Sequence, residues 1–225
     1  MAVAQALIIA LGGNPNTGKS TIFNGLTGLK QHTGNWPGKT VLQARGQYCY
    51  QGQLYELVDL PGTYSLLAHS PEEEVARDFL CFGQPAATVI VVDVTCLERN
   101  LNLVLQVTEI TPKVVVCANL MDEARRQKLR LDLPLLEKEL GVPVIPTTGT
   151  TKAGLPQLKD AIARVANGQL QPQPLPLQYA DSLEKQISAL LPYLDYVPPE
   201  VSKRWVALRL LNGDLSVLKK MGARS

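Results

Sequence analysis

The residues Gly13-Asn14-Pro15-Asn16-Thr17-Gly18-Lys19-Ser20 fit the spacing G-x-x-x-x-G-K-[ST] and follow an apolar run, 6–11, that reads as a buried strand. That set of side chains suits a chain of phosphates. The glycines let backbone N–H groups turn inward toward an anion, Lys19 brings a compact positive charge to the terminal phosphates, and the Ser20 hydroxyl is a ligand for Mg²⁺. Pro15 with the two asparagines stiffens the turn. Gly13, Asn14, Asn16, Thr17, Gly18, Lys19, Ser20 and Thr21 are the candidate phosphate-binding residues.

Two further motifs follow in order. Asp59-Leu60-Pro61-Gly62 ends an apolar segment with a carboxylate suited to face Mg²⁺, directly or through a water, and places a glycine three positions on that suits a γ-phosphate sensor. Alone this is also an ordinary turn sequence. Asn119-Leu120-Met121-Asp122 ends the apolar segment 113–118. A carboxylate at Asp122 can accept from both the ring N–H and the exocyclic amine of guanine, whereas adenine would leave polar groups unpaired, so the pattern selects GTP over ATP. Asn119 is also a natural helix N-cap. Together the three motifs point to a GTPase.

The elements that must position these residues alternate between strand and helix. Strands are expected near 6–12, 42–50, 53–59, 87–93, 113–118 and 142–146, and helices near 19–28, 71–82, 98–110, 121–128, 132–140 and 155–167. The second and third strands form a hairpin around Gln51-Gly52. The others are apolar on both faces and separated by helices, which predicts a mostly parallel six-stranded sheet with nucleotide loops at the C-terminal strand ends. The fold class is α/β, a P-loop GTPase of Ras-like type. Residues 1–167 form the G domain, the Pro/Gln-rich 168–178 an extended linker, and 179–225 a small helical subdomain with helices near 180–191 and 199–211 and room for a third. That subdomain reads as truncated.

Over residues 6–165, and more weakly beyond, the chain resembles the N-terminal cytoplasmic G domain of the ferrous-iron transport protein B family. The likeness rests on the P-loop, on Gly34-Asn35-Trp36-Pro37-Gly38-Lys39-Thr40, on Asp59-Leu-Pro-Gly-Thr-Tyr-Ser65, on Ser70-Pro-Glu-Glu-Glu74 with Ala76-Arg77-Asp78, and on Leu97-Glu-Arg-Asn-Leu101. It implies GTP hydrolysis that regulates Fe²⁺ passage through a membrane domain of the same polypeptide. The setting it implies is the cytoplasmic face of the bacterial inner membrane, with small accessory iron-transport proteins and a second copy of the chain as further partners.

Thr40 resembles the switch I threonine that binds Mg²⁺ and orients the attacking water, ordered only with γ-phosphate present. Asn16 matches the P-loop asparagine of potassium-activated GTPases, which implies K⁺ held beside the phosphates with the backbone carbonyls of Gly34 and Trp36 completing the shell. A cation there acts as an arginine finger does; the plain alternative for Asn16 is a turn former. Asn16 and Thr40 are the candidate catalytic residues, and GTP or GDP, Mg²⁺ and K⁺ the expected ligands. Position 63 is Thr where Ras-like enzymes carry a glutamine, so slow intrinsic hydrolysis is expected. Glu72 and Glu73 read equally as first-turn helix acids.

Two positions depart from the pattern: Lys39, usually apolar in this family, and Gly149, where many GTPases carry a serine. Backbone N–H groups at Gly149 and Thr150 remain candidates for the guanine O6, with faster nucleotide release expected.

Composition bounds the alternatives. The 225 residues suffice for one sizeable core, and a formal net charge of +2 argues against nucleic-acid binding and strong membrane attraction. No apolar stretch approaches the roughly 20 residues of a membrane helix, so the fragment itself reads as soluble. Cys49, Cys81, Cys96 and Cys117 are scattered without a C-x-x-C pair and read as reduced thiols; no Fe²⁺ site is expected. A ribosome- or tRNA-modification-type GTPase shares the P-loop asparagine but would want a basic RNA-binding appendage, which the tail lacks. A nucleotide-sensing interaction module remains the other reading.

Overall fold

The computed structural model describes residues 5–28 and 31–222. Five parallel strands build the centre: β1 (Leu7–Gly13), β4 (Gln53–Asp59), β5 (Ala87–Asp93), β6 (Val114–Asn119) and β7 (Val144–Pro146). Two antiparallel strands, β2 (Gln31–Asn35) and β3 (Leu42–Tyr50), extend one edge, giving the order β2-β3-β4-β1-β5-β6-β7. The sheet therefore has seven strands rather than the expected six. The added one, Gln-His-Thr-Gly-Asn, has no apolar alternation; it exists by pairing with the free edge of β3, Thr33 opposite Ala44. Gln51 and Gly52 both take positive φ, 49° and 78°, so the β3–β4 hairpin turns where the dipeptide indicates.

Alternate residues of each central strand feed two apolar layers. Ala87, Val89 and Val91 of β5 pack with α1 (Lys19–Thr27) and α6 (Leu155–Ala166). Ile90 and Val92 face the other way, toward α2 (Pro71–Phe82) and α3 (Leu97–Ile110). All six residues of β6 are buried, which explains its unbroken apolar run. Two short helices, α4 (Met121–Arg126) and α5 (Leu133–Leu140), lead into β7.

After α6 the chain runs extended but not loose: Leu170 N donates to Arg164 O at 3.0 Å and Gln173 N to Gly141 O at 2.9 Å. Three helices follow, α7 (Asp181–Leu190), α8 (Lys203–Leu211) and α9 (Ser216–Gly222). α8 begins four residues later than expected from its apolar pattern, because Pro198-Pro199 opens a turn closed by Val201 N donating to Pro198 O at 2.9 Å, and Ser202 supplies the cap, accepting from Trp205 N at 3.2 Å. Ile187, Trp205, Val206 and Val217 then join the layer of α2 and α3, each large buried side chain contributing about 1.5–3 kcal/mol. None of the described helices is long and apolar enough to cross a membrane.

Candidate nucleotide site

The C-terminal ends of β1, β4 and β6 bring the three motifs to one edge of the sheet. β1 passes through the loop 14–18 into α1, whose N-terminal N–H groups and dipole favour an anion. Glycine is obligatory twice here. A Cβ on Gly13 would stand 2.5 Å from the Val91 carbonyl oxygen, and one on Gly18, at φ 81°, would collide with the Asn119 amide nitrogen. Asn16 takes φ 67° and is exposed. Thr17 Oγ1 donates to Asn14 O at 3.0 Å, while the Asn14 side chain is 3% exposed with neither amide atom partnered. A buried amide of that kind, inside a loop closed around backbone N–H groups, suits a polar ligand. Ser20 and Thr21 are exposed on the first turn of α1.

Lys19 forms an ion pair with Asp59 at the end of β4. Burial raises the Asp59 pKa above its usual value, and the Lys19 ammonium pulls it back down. Lys19, with Ser20 next to it in the chain, thus brings an ammonium to the Asp59 carboxylate and a hydroxyl to the same turn of α1. Gly62 packs on Pro15, a Cβ there lying 3.5 Å from the proline Cα, and Thr63 N donates to Gly13 O at 3.3 Å. Thr63 is only 5% exposed, so the residue at the glutamine position of Ras-like enzymes turns inward. Tyr64 is the outward residue, with the Arg99 guanidinium 4.3 Å above its ring. Glu73 accepts from Ser65 Oγ at 2.7 Å and His69 N at 3.0 Å, fastening the loop before α2, whereas Glu72 is exposed.

Thr40 is exposed, in a bend closed by Trp36 N donating to Val41 O at 2.9 Å and Lys39 N to Trp36 O at 2.9 Å. Gly34 lies in β2 opposite Gln43. The contacts that hold this segment run to β3 and α2: Trp36 is buried edge-on against Phe79, and Lys39 pairs with Glu74.

At the other end, Asn119 is 1% exposed. Its Nδ2 donates to Thr17 O at 2.9 Å, and its Oδ1 accepts from Gly149 N at 3.1 Å and Thr147 Oγ1 at 3.1 Å. The amide thereby joins the P-loop, β6 and the loop 147–149. It is not the helix cap: that position belongs to Leu120, at φ 65°, whose left-handed turn sends Asp122 into the first turn of α4. Asp122 Oδ1 is buried without a partner, the acceptor that a guanine edge would fill. Gly149 is tight for space, a Cβ there meeting the Thr21 methyl at 3.0 Å; Thr150 beside it is exposed. A cavity of about 830 Å³ lies elsewhere, between the β7 edge and the segment 170–173.

Sequence reasoning missed the buried Arg77, which donates to Asp214 and Ser216 of the tail, both at 3.0 Å, and Gln106, which accepts from Leu66 N at 2.8 Å. Neither carries a motif signal of its own beyond the Ala-Arg-Asp triplet.

A family model described as "Ferrous iron transport protein B" matches residues 7–162, and one described as "FeoB cytosolic helical domain" matches residues 179–225. The Fe(2+) transporter FeoB of Escherichia coli K12 is 40% identical over 220 residues, covering 94% of this chain and 27% of that protein. An Fe(2+) transport protein A/Fe(2+) transporter FeoB fusion protein of Porphyromonas gingivalis is 37% identical over 219 residues, covering 95% of this chain and 26% of that one. The chain thus spans about a quarter of the length of these relatives. Among solved structures, the cytosolic domain of the T. maritima FeoB iron transporter in apo form superposes with a TM-score of 0.89 at 36% identity, covering 97% of this chain and 86% of that one. Its GMPPNP form gives a TM-score of 0.88 at 36% identity, covering 96% and 85%.

Proposed function

The chain belongs to the ferrous iron transport protein B family, and from that membership we propose that it is the GTP-binding and GTP-hydrolysing switch of a ferrous-iron transporter. The observation that carries guanine selection is the buried, unpartnered Asp122 Oδ1 beside an Asn119 amide that already fixes both neighbouring loops. Structures of the T. maritima relative in GDP and GMPPNP forms support the same reading.

In this reading Gly13 to Thr21 hold the phosphates, with Lys19 leaving Asp59 for the terminal oxygens, and Gly62 senses the γ-phosphate. Gly149 and Thr150 offer N–H groups to the base. Mg²⁺ is held by Ser20, Thr40 and Asp59, and K⁺ by Asn16 with the Gly34 and Trp36 carbonyls; these hard oxygen donors suit both ions. When bound, the two cations neutralise charge that develops on the transferring phosphoryl group. Thr40 orients the attacking water. Because Thr63 faces inward, no side chain from that position reaches the water, and intrinsic hydrolysis is slow.

We assign residues 1–167 to the G domain, 168–178 to the linker and 179–225 to a helical subdomain that couples the switch to a membrane transport domain at the cytoplasmic face of the inner membrane. The fusion of an Fe(2+) transport protein A to the transporter in one relative supports small accessory iron-transport proteins as partners. Homo-oligomers belong to the same proposal.

The test is GTP hydrolysis with Mg²⁺ in KCl and in NaCl at equal ionic strength, with ATP as control, for the wild type and Asn16→Ala. Turnover of GTP alone, raised by K⁺ in the wild type and not in Asn16→Ala, is the expected result. ATP turnover at a similar rate would overturn the guanine reading, and K⁺ stimulation unchanged in Asn16→Ala would overturn the cation site.

A further inference from the structure

The segment carrying Thr40 rests on α2 through two side chains. Trp36 packs edge-on against Phe79, with ring centroids 5.3 Å apart and planes at 71°. Lys39, the residue next to Thr40, donates from Nζ to Glu74 Oε2 at 2.7 Å. The second oxygen of the same carboxylate is also taken: Lys220 of α9 lies 3.0 Å from Glu74 Oε1 and pairs in addition with Asp78, one turn further along α2. Residues 39, 74 and 220 come from three elements far apart in sequence, and they meet on one carboxylate.

The geometry gives each oxygen of Glu74 its own ammonium, so Lys220 fixes the rotamer that Lys39 needs. A carboxylate on a half-exposed helix face loses side-chain entropy when it pairs, and a partner that has already fixed it removes part of that cost for the next. Hydrogen bonds from Lys39 and Lys220 hold the Glu74 pKa down at about 2, so the carboxylate is charged throughout the neutral and mildly acidic range. The side chains are partly open to water, 34% for Lys39, 28% for Glu74 and 37% for Lys220, which makes the contacts breakable rather than permanent. Arg77, one turn from Glu74's neighbours and fully buried, ties the same helix to Asp214 and Ser216, so α9 cannot drift away from α2.

We infer that Lys39 and Glu74 are positioning residues for Thr40, and that Lys220 sets how firmly they hold it, so that the helical tail acts on the switch segment through a shared carboxylate. The inference rests on Thr40 being the Mg²⁺-binding threonine of the proposed GTPase.

Two readouts test it on the full chain. The first needs no nucleotide. The protein has two tryptophans, Trp36 and Trp205, so its ¹⁵N spectrum carries two indole N–H signals. Lys39→Met, which keeps the aliphatic stem, is expected to shift or broaden the Trp36 signal and leave that of Trp205 in place; Lys39→Arg restores it. The second is the Mg²⁺ concentration at half-maximal GTP turnover. Lys39→Met is expected to raise it about two- to five-fold, the range of a partly exposed ion pair, and Lys39→Arg, which keeps the charge, to bring it back. In a Lys220→Met background the effect of Lys39→Met is expected to fall below half of its value. An unmoved Trp36 signal, an unchanged Mg²⁺ midpoint, or an effect of Lys39→Met that is the same with and without Lys220 would each overturn the inference. A wild type that does not hydrolyse GTP overturns the function proposed above instead, and the indole signals still report whether Lys39 positions the segment.

Discussion

Asn119 has four hydrogen-bonding positions on its amide, and three of them are used across loops that lie far apart in the chain: one N–H to Thr17 O, and the carbonyl oxygen to both Gly149 N and Thr147 Oγ1. An ionised aspartate could supply the acceptors but not the donor. Thr147 keeps a second contact with the Cys117 thiol at 3.1 Å, so truncation of Asn119 leaves mainly the Thr17 carbonyl and the Gly149 N–H without partners. At about 1–3 kcal/mol for each buried group left unpaired, Asn119→Ala is expected to lose about 2–4 kcal/mol in urea unfolding. GDP affinity should fall at least about tenfold with it, since 1.4 kcal/mol of lost loop positioning already corresponds to that factor. Asn119→Asp, which keeps the acceptors, should lie between. Wild-type stability together with wild-type GDP affinity in Asn119→Ala would show that the two loops hold their places without this amide.

At the scale of elements, α2 shows how a helix can be read from sequence and still hold contacts that cannot. Its start is written locally: Ser70 accepts from Glu73 N at 3.2 Å, Pro71 occupies the first turn, and Glu72, Glu73 and Glu74 complement the dipole. What the local signal omits is that Glu73 turns back to Ser65 and His69, and Glu74 outward to Lys39 and Lys220. Ser70→Ala is therefore expected to cost about 1 kcal/mol and to speed amide exchange across residues 65–74 selectively, with β5 unaffected. A uniform rise in exchange would mean that the cap stabilises the whole domain rather than this junction. The same division runs through the rest of the chain. β1, β5 and β6 were legible because both of their faces are buried, and the β3–β4 hairpin because Gln51-Gly52 tolerates positive φ. β2 was not, because its polar residues gain a strand only from the edge of β3. In the site, the phosphate and base motifs stood out by type and spacing. The pairing of Lys19 with Asp59 and the reach of Asn119 to Thr17 depend on strand order, which spacing does not encode.

Over the whole molecule, the helical tail and the G domain are joined by more than a linker. Ile187, Trp205, Val206 and Val217 lie in one apolar layer with Val104 and Val107 of α3 and Leu80 of α2. Around that layer, Arg77 reaches Asp214 and Ser216, and Tyr179 Oη donates to Glu109 at 2.9 Å. Charged pairs of this kind give orientation more than stability, because what they gain in attraction they lose in desolvation. The apolar layer therefore carries the energy of the joint, and the ion pairs its register. If so, the two parts unfold as one cooperative unit. Removing the tryptophan that the tail contributes to the shared layer, Trp205→Ala, is expected to cost about 3–5 kcal/mol and to lower a single thermal transition followed by circular dichroism and by Trp36 fluorescence alike. Two separated transitions in that variant, with Trp36 reporting only the later one, would mean that the tail melts on its own and that the layer it shares with α3 does not bind the halves into one folding unit.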